Sequence, residues 1–374
     1  GAMKSQEYTL IKIFVSNVKD FYSIFMNSIR SSQSVLNACI EKKEAPNNNN
    51  NKINNNKINN NKINNNKINN NKSNNNKSNN NNNCGSSANI SNTFFTDFEK
   101  GEEDLKNKIW NEDFFVKDKK VIFLGSTLKP ETAYGQNYTF INPNEYYYLT
   151  LGFDKQNLHY GDKSYVNNIM TKEEIINSCP NIYVCSENSL YNLAYQGIIP
   201  LLKNKNGNLD DVFILNKIKG EHFVGLETYT NISKIKNLYI LPMTTIKMNI
   251  STGIVPCVSS DSTDDYACLE DIRKKKNYYC EKYNLKEEQL KNNSESCIEL
   301  PEIGNNTGKY YYEKEKVSSY KDVKLQKIKE VLYKKQYFEG IMTVDPYKGM
   351  KTFNCRKLAK QNIIRNLDGF LYSE

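Results

Sequence analysis

Residues 251–269 read STGIVPCVSSDSTDDYACL, and the chain is best understood outward from them. A Thr-Gly step leads into the apolar run 254–258, which has the length and β-branched content of a short buried strand. Seven small polar or acidic residues follow: Ser259, Ser260, Asp261, Ser262, Thr263, Asp264 and Asp265. Apolar spacing resumes at Ala267, Cys268, Leu269 and Ile272, and a basic run closes the stretch at Arg273, Lys274, Lys275 and Lys276. The order predicted is strand, loop, helix. Ser260 or Asp261 is expected to cap the helix, with carboxylates at its positive end and lysines at its negative end. Acidic residues capping a helix would explain most of this. Yet three carboxylates within five residues exceed what a cap needs, which leaves one to bind a cation.

Upstream, KVIFLG at 120–125 predicts a buried strand that runs into STLKPETAYG, residues 126–135. Pro130 suits the first turn of a helix there, and Gly135 suits its end. Alternation at 8–15 predicts another strand, and further strands are expected at 137–141, 146–151, 181–185, 212–218 and 238–247. Helices are expected at 187–196 and, from Leu325, Ile328, Val331 and Leu332, at about 319–337. Many short strands with few helices between them argue for a mixed α/β (α+β) fold. Its core would be a barrel-like sheet with peripheral helices, not a doubly wound sheet.

The chain has 374 residues, but 47–83 is almost pure Asn, with a lysine every fifth residue from Lys52 to Lys77. Such a segment cannot bury enough apolar surface to offset ordering entropy, so it is expected to be a disordered insertion. The net charge is +9, of which six charges lie in that tract, leaving +3 elsewhere. That is weak support for nucleic-acid binding. The basic tail Lys348, Lys351, Arg356, Lys357, Lys360 and Arg365 is a candidate patch, and a solvated helix face explains it equally well. Residues 1–20 are expected to open the domain, 21–109 to be the insertion, and 110–374 to form the domain body. Gly1-Ala2-Met3 reads as a cloning remnant on a piece of a larger protein. Nine scattered cysteines without a CxxC, no signal peptide and no bilayer-length apolar run point to a cytoplasmic chain with reduced thiols and no membrane contact.

Familiar catalytic signatures are missing. His159 and His222 stand alone and make no metal pattern, and there is no GxSxG, P-loop or GxGxxG. An enzyme of this sequence is expected to work by positioning and electrostatics.

Two stretches together carry a resemblance. Thr127-Leu128-Lys129-Pro130-Glu131-Thr132 with Tyr134-Gly135-Gln136 resembles the T-L-R-P-E-T-x-F-G-Q motif of the leucyl-tRNA synthetase editing domain. LPMTTIK at 241–247, TGIV at 252–255 and SDSTDD at 260–265 resemble the second half of that pocket in the eukaryotic cytosolic form. EGIM at 339–342, Val344-Asp345 and Lys348-Gly349 match the family's way out of the domain, and residues 8–12 its way in. The likeness covers most of the chain outside roughly 20–110.

That resemblance implies post-transfer editing: hydrolysis of the ester of isoleucyl-, valyl-, methionyl- or norvalyl-tRNA(Leu). One pocket discriminates over a methylene by only about 1–3 kcal/mol, so a second sieve is needed. Carried over residue by residue, Asp264 pairs with the α-ammonium, with Asp261 and Asp265 as its structural neighbours. Thr132 refuses leucine, Thr127 lies near the ester and the attacking water, and Lys129 stands with the catalytic groups. Thr252 and Gly253 meet the 3′-terminal adenosine, and Leu128, Tyr134, Val258 and Asp261 complete the substrate wall. No cofactor or metal is implied for editing. ATP and Mg belong to the synthetic domain, whose HxGH and KMSKS motifs are absent. The implied partners are the tRNA(Leu) 3′ end and the remainder of the synthetase. Lys129 stands where the family has Arg, which loses the bidentate fork, and Ser259 stands where it has Pro. The alternatives are the same chemistry in a valyl or isoleucyl synthetase, or a non-catalytic tRNA-binding module of the same fold.

Overall fold

A computed structural model describes residues 6–44, 98, 100–157, 168–203 and 209–374. The Asn tract at 47–83 and His159 lie outside the described residues. In chain order the strands are β1 Glu7–Val15, β2 Lys120–Thr127, β3 Tyr138–Ile141, β4 Tyr146–Gly152, β5 Ile169–Met170, β6 Asn181–Cys185, β7 Leu201–Lys203 and β8 Leu209–Val212. They continue with β9 Ile214–Lys219, β10 Glu227–Tyr229, β11 Leu238–Pro242, β12 Ile254–Cys257, β13 Ile298–Glu299, β14 Ile341–Met342 and β15 Phe370–Ser373. The helices are α1 Val18–Glu44, α2 Glu103–Trp110, α3 Glu112–Val116, α4 Lys172–Ser178, α5 Leu190–Tyr195, α6 Thr263–Lys274, α7 Lys276–Tyr283, α8 Thr307–Lys314, α9 Lys324–Glu339 and α10 Thr352–Asn366.

The chain divides into two compact units, Gly1–Ile29 with Thr93–Glu374, and Arg30–Asn92. In the second unit, residues 30–44 are described and are helical. The strands named above all belong to the first unit.

Its centre is β1, a nine-residue strand buried at every position after Glu7. One side pairs antiparallel with β2 along six residues. The other side is shared, β15 taking residues 7–10 and β10 taking Phe14 and Val15. The main sheet runs β12-β3-β11-β10-β1-β2-β6-β4-β9, with β15 added beside β1. The pairs β2/β6 and β3/β11 are parallel and the rest antiparallel. The sheet curls until β12 lies against β2. A β-carbon at Gly125 would sit 2.9 Å from Pro256 Cγ, so only glycine permits the approach. Ser126 Oγ reaches the Ile254 carbonyl at 3.5 Å. The curl is barrel-like, yet among the described residues no hydrogen-bonded ladder closes it.

Several expectations need correcting. The strand expected at 212–218 breaks at Phe213 into β8 and β9. The strand expected at 238–247 ends at Pro242. The turn Pro130–Gly135 is a 3-10 helix. The cap of α6 is neither Ser260 nor Asp261 but Ser262, whose hydroxyl accepts the Asp265 N–H at 3.3 Å. Asp261 is drawn away from that role by the backbone N–H groups of Cys297 and Ile298. Within the segment 21–109, Phe21, Phe25 and Ile29 of α1 are buried in the core, and Phe21 stacks on Phe223. No helix among the described residues is long and apolar enough to cross a membrane.

Candidate functional site

A cavity of about 540 Å³ opens between the end of β2, the loop and turn around β12, and α9. Its first wall is the 126–133 loop. Thr127 Oγ1 accepts the Lys129 N–H at 3.0 Å, which leaves its own hydroxyl proton free to donate. Thr132 Oγ1 donates to the Lys129 carbonyl at 3.0 Å, and this fixes the rotamer that carries its γ-methyl. The loop is anchored from behind: the fully buried Glu131 carboxylate accepts from Arg356 Nε at 3.0 Å and Nη2 at 2.6 Å. Arg356 in turn lies 4.4 Å from the centre of the Tyr337 ring.

A second part of the lining is the acidic turn. Asp261 is fully buried, and its oxygens accept the N–H groups of Cys297 at 2.8 Å and Ile298 at 3.2 Å and the Ser260 hydroxyl at 2.8 Å. It borders the cavity, but protein groups fill the contacts expected for substrate. Asp265 folds back under the turn, and its Oδ2 accepts the Val258 N–H at 2.8 Å. Its Oδ1 has no hydrogen-bond partner among the described residues, and Asp265 lines the cavity. Burial pushes the Asp265 carboxyl up to about 6. Burial also raises Asp261 and Asp264. The Asp264 side chain is 24% exposed and faces Lys329 Nζ at 3.5 Å.

Lys129 Nζ is inside the wall. It donates to Gln336 Oε1 at 2.6 Å and to the Asp261 carbonyl at 3.4 Å, and lies 4.8 Å from the centre of the Tyr333 ring. Burial lowers its pKa.

The structure therefore brings Thr127, Leu128, Lys129, Thr132, Gly253, Val258, Asp261 and Asp264 to one cavity. Two expected site residues are not on its wall. Tyr134 points to Tyr347 and Asn362, with hydroxyl contacts of 3.3 Å and 3.0 Å. Thr252 is fully buried behind Gly253, its carbonyl accepting the Ser186 N–H at 2.8 Å. Gly253 itself has φ +70°, and its carbonyl accepts the Tyr147 hydroxyl at 2.7 Å. Sequence reading did not find Lys329, Tyr333 or Gln336. They come from α9, far along the chain, and no local pattern marks them. Of the basic tail, Arg356 and Lys360 are taken up by Glu131 and Glu7. Among the described residues no group of histidine, cysteine or carboxylate side chains could hold a metal ion.

No family model matches the chain. Among solved structures it is similar to the P. falciparum cytosolic leucyl-tRNA synthetase editing domain, with TM-score 0.79 and 81% identity, covering 99% of this chain and 100% of that one. The chain belongs to the family of cytosolic leucyl-tRNA synthetase editing domains. The P. knowlesi editing domain is similar too, at TM-score 0.75 and 56% identity, with 100% of this chain and 99% of that one covered. Among curated relatives, the cytoplasmic leucine–tRNA ligase of Pongo abelii is 31% identical over 261 residues, 69% of this chain and 19% of that protein. The putative cytoplasmic enzyme of Schizosaccharomyces pombe is 30% identical over 261 residues, 69% of this chain and 20% of its own. The editing domain thus spans about a fifth of the length of the curated relatives it matches.

Proposed function

We propose that this cavity hydrolyses the ester of mischarged tRNA(Leu), carrying isoleucine, valine, methionine or norvaline, by post-transfer editing. The observation that carries the reading is that Thr127, Thr132 and a buried carboxylate with one unpartnered oxygen, Asp265, line one cavity. A cavity of about 540 Å³ is within the usual range for a small organic ligand such as an aminoacylated nucleoside. The acidic turn receives the α-ammonium. Asp264 already has Lys329 opposite it, so the geometry favours Asp265 Oδ1 as the main acceptor, with Asp264 adding charge at the mouth. A substrate cation there offsets the desolvation that raises Asp265.

The Thr127 hydroxyl proton is available to the ester oxygen or to the attacking water. Thr132, its side chain locked by the Lys129 carbonyl, narrows the space where leucine's branched end would lie. The Gly253 backbone offers a surface for the terminal adenosine, which no β-carbon obstructs. Water is the nucleophile, and Lys129 adds positive potential near the developing oxyanion. No cofactor takes part. The natural partners in this reading are the 3′ end of tRNA(Leu) and the rest of a synthetase. The test is deacylation of isoleucyl-tRNA(Leu) beside leucyl-tRNA(Leu): rapid loss of isoleucine with leucine spared is expected, and equal rates or no hydrolysis of either would refute it.

A further inference from the structure

Helix α9 buries Leu325, Ile328, Leu332 and Gln336. Their spacing is one apolar stripe, and the fourth position holds a glutamine that is fully buried. A leucine there would pack without leaving a polar amide to be satisfied, so the glutamine calls for another explanation.

Its bonds supply one. Nε2 donates to the Asp261 carbonyl at 2.9 Å and to Thr307 Oγ1 at 2.9 Å. Oε1 accepts the Lys129 ammonium at 2.6 Å. The amide has a single workable orientation, because a carbonyl oxygen cannot donate and an ammonium cannot accept. One side chain therefore ties the threonine-bearing loop, through Lys129, to the acidic turn, through Asp261. The charged groups around Lys129 are Asp261, Glu131, Asp265 and Arg356, with the Tyr333 ring against it. Among the described residues none of the carboxylates pairs directly with its Nζ. The short bond to Gln336 is the closest contact that holds this ammonium in the cavity wall.

We propose that Gln336 is a positioning residue for the editing reaction: its amide oxygen fixes the Lys129 ammonium at the cavity, and its amide nitrogen keeps that ammonium in register with the acidic turn. The inference rests on the editing reading above. Gln336 touches no substrate and acts through Lys129.

The test follows Lys129 directly, by NMR titration of lysines labelled at Cε with Lys129→Met giving the assignment, alongside deacylation of isoleucyl-tRNA(Leu). Gln336→Met removes the acceptor, so the Lys129 pKa should fall further below its already lowered value. In the same variant kcat/KM should drop roughly tenfold to a hundredfold, the usual cost of a misplaced group. Added to Lys129→Met, it should cost nothing more, since both changes remove one interaction. Gln336→Glu keeps an acceptor for the Lys129 ammonium but loses the amide donors to the Asp261 carbonyl and Thr307, so it should recover only part of the activity lost in Gln336→Met. An unchanged Lys129 titration in Gln336→Met, multiplicative losses in the double variant, or a Glu variant as impaired as Met would each overturn the proposal. If Gln336→Met does not fold, Gln336→Glu decides alone: its carboxylate must raise the Lys129 pKa, and an unshifted titration refutes the contact. A wild-type chain inactive on mischarged tRNA would sink the editing reading, while the titration would still decide whether Gln336 governs Lys129.

Discussion

Asp265 Oδ2 accepts the backbone N–H of Val258 at 2.8 Å, across the turn that separates β12 from α6. The bond aims the carboxylate back into the cavity wall instead of outward along the helix. Asp264, next in chain, faces Lys329 at 3.5 Å. The two neighbours are thus predicted to differ in function. Asp265→Asn should lower deacylation of isoleucyl-tRNA(Leu) by roughly 30-fold or more, the scale of losing one member of a desolvated charge pair. Asp264→Asn should lower it only a few-fold. Rates for the two variants, measured at one pH, check this; the reverse order would return the ammonium to Asp264.

The same carboxylate predicts a pH dependence of stability. Burial pushes its folded pKa up to about 6, above the ordinary carboxylate value of 3.8, so between those values the folded chain holds the proton more tightly than the unfolded one. Stability contributed by the protonated form is present below about pH 4 and is lost as pH rises through about 6. Asp265→Asn cannot ionise and escapes that loss. It should be the more stable protein at pH 7.5, by on the order of 2–3 kcal/mol, and equal to wild type near pH 4. Denaturant unfolding at both pH values checks the sign. In wild type, deacylation should also fall as pH drops below about 6, where Asp265 takes up its proton.

What the sequence made legible divides along physical lines. β1, β2 and β6 are short runs of β-branched and aromatic residues, and period and composition located them. The threonine loop and the acidic turn were legible because each compresses its chemistry into a few consecutive residues. Within the acidic turn, however, the choice among Asp261, Asp264 and Asp265 depends on which backbone N–H each carboxylate meets. Val258 is nearby in sequence, but Cys297 and Ile298 are remote from Asp261. The same holds for the cap, where Asp261 could serve α6 but is claimed by Cys297 and Ile298, leaving Ser262. Lys329 and Tyr333 reach the cavity, and Gln336 reaches Lys129 behind its wall, only through the packing of α9, which no local pattern encodes. Tyr134 is not on the cavity wall because motif proximity does not fix direction: in the 3-10 turn its hydroxyl reaches Tyr347 and Asn362 instead.

The anchor of the threonine loop gives a third prediction. Glu131 is fully buried and Arg356 is its cationic partner. Arg356→Ala strands a buried carboxylate, which should cost about 3 kcal/mol of stability. Glu131→Gln with Arg356→Ala should recover part of that loss, because no buried charge is then left unpaired. Thermal unfolding of the single and double variants checks this, and an Arg356→Ala chain as stable as wild type would show that the pair does not hold the loop.

The most direct test of the account is the hydrolysis of leucyl-tRNA(Leu) by Thr132→Ala. If Thr132 were only part of the 3-10 turn, alanine there would change little. If its γ-methyl, held in place by the hydroxyl's bond to the Lys129 carbonyl, closes the cavity to leucine, removing it opens that space. The account predicts that Thr132→Ala deacylates correctly charged leucyl-tRNA(Leu) while keeping its rate on isoleucyl-tRNA(Leu). A folded Thr132→Ala chain that is active on isoleucyl-tRNA(Leu) yet still spares leucyl-tRNA(Leu) would contradict it.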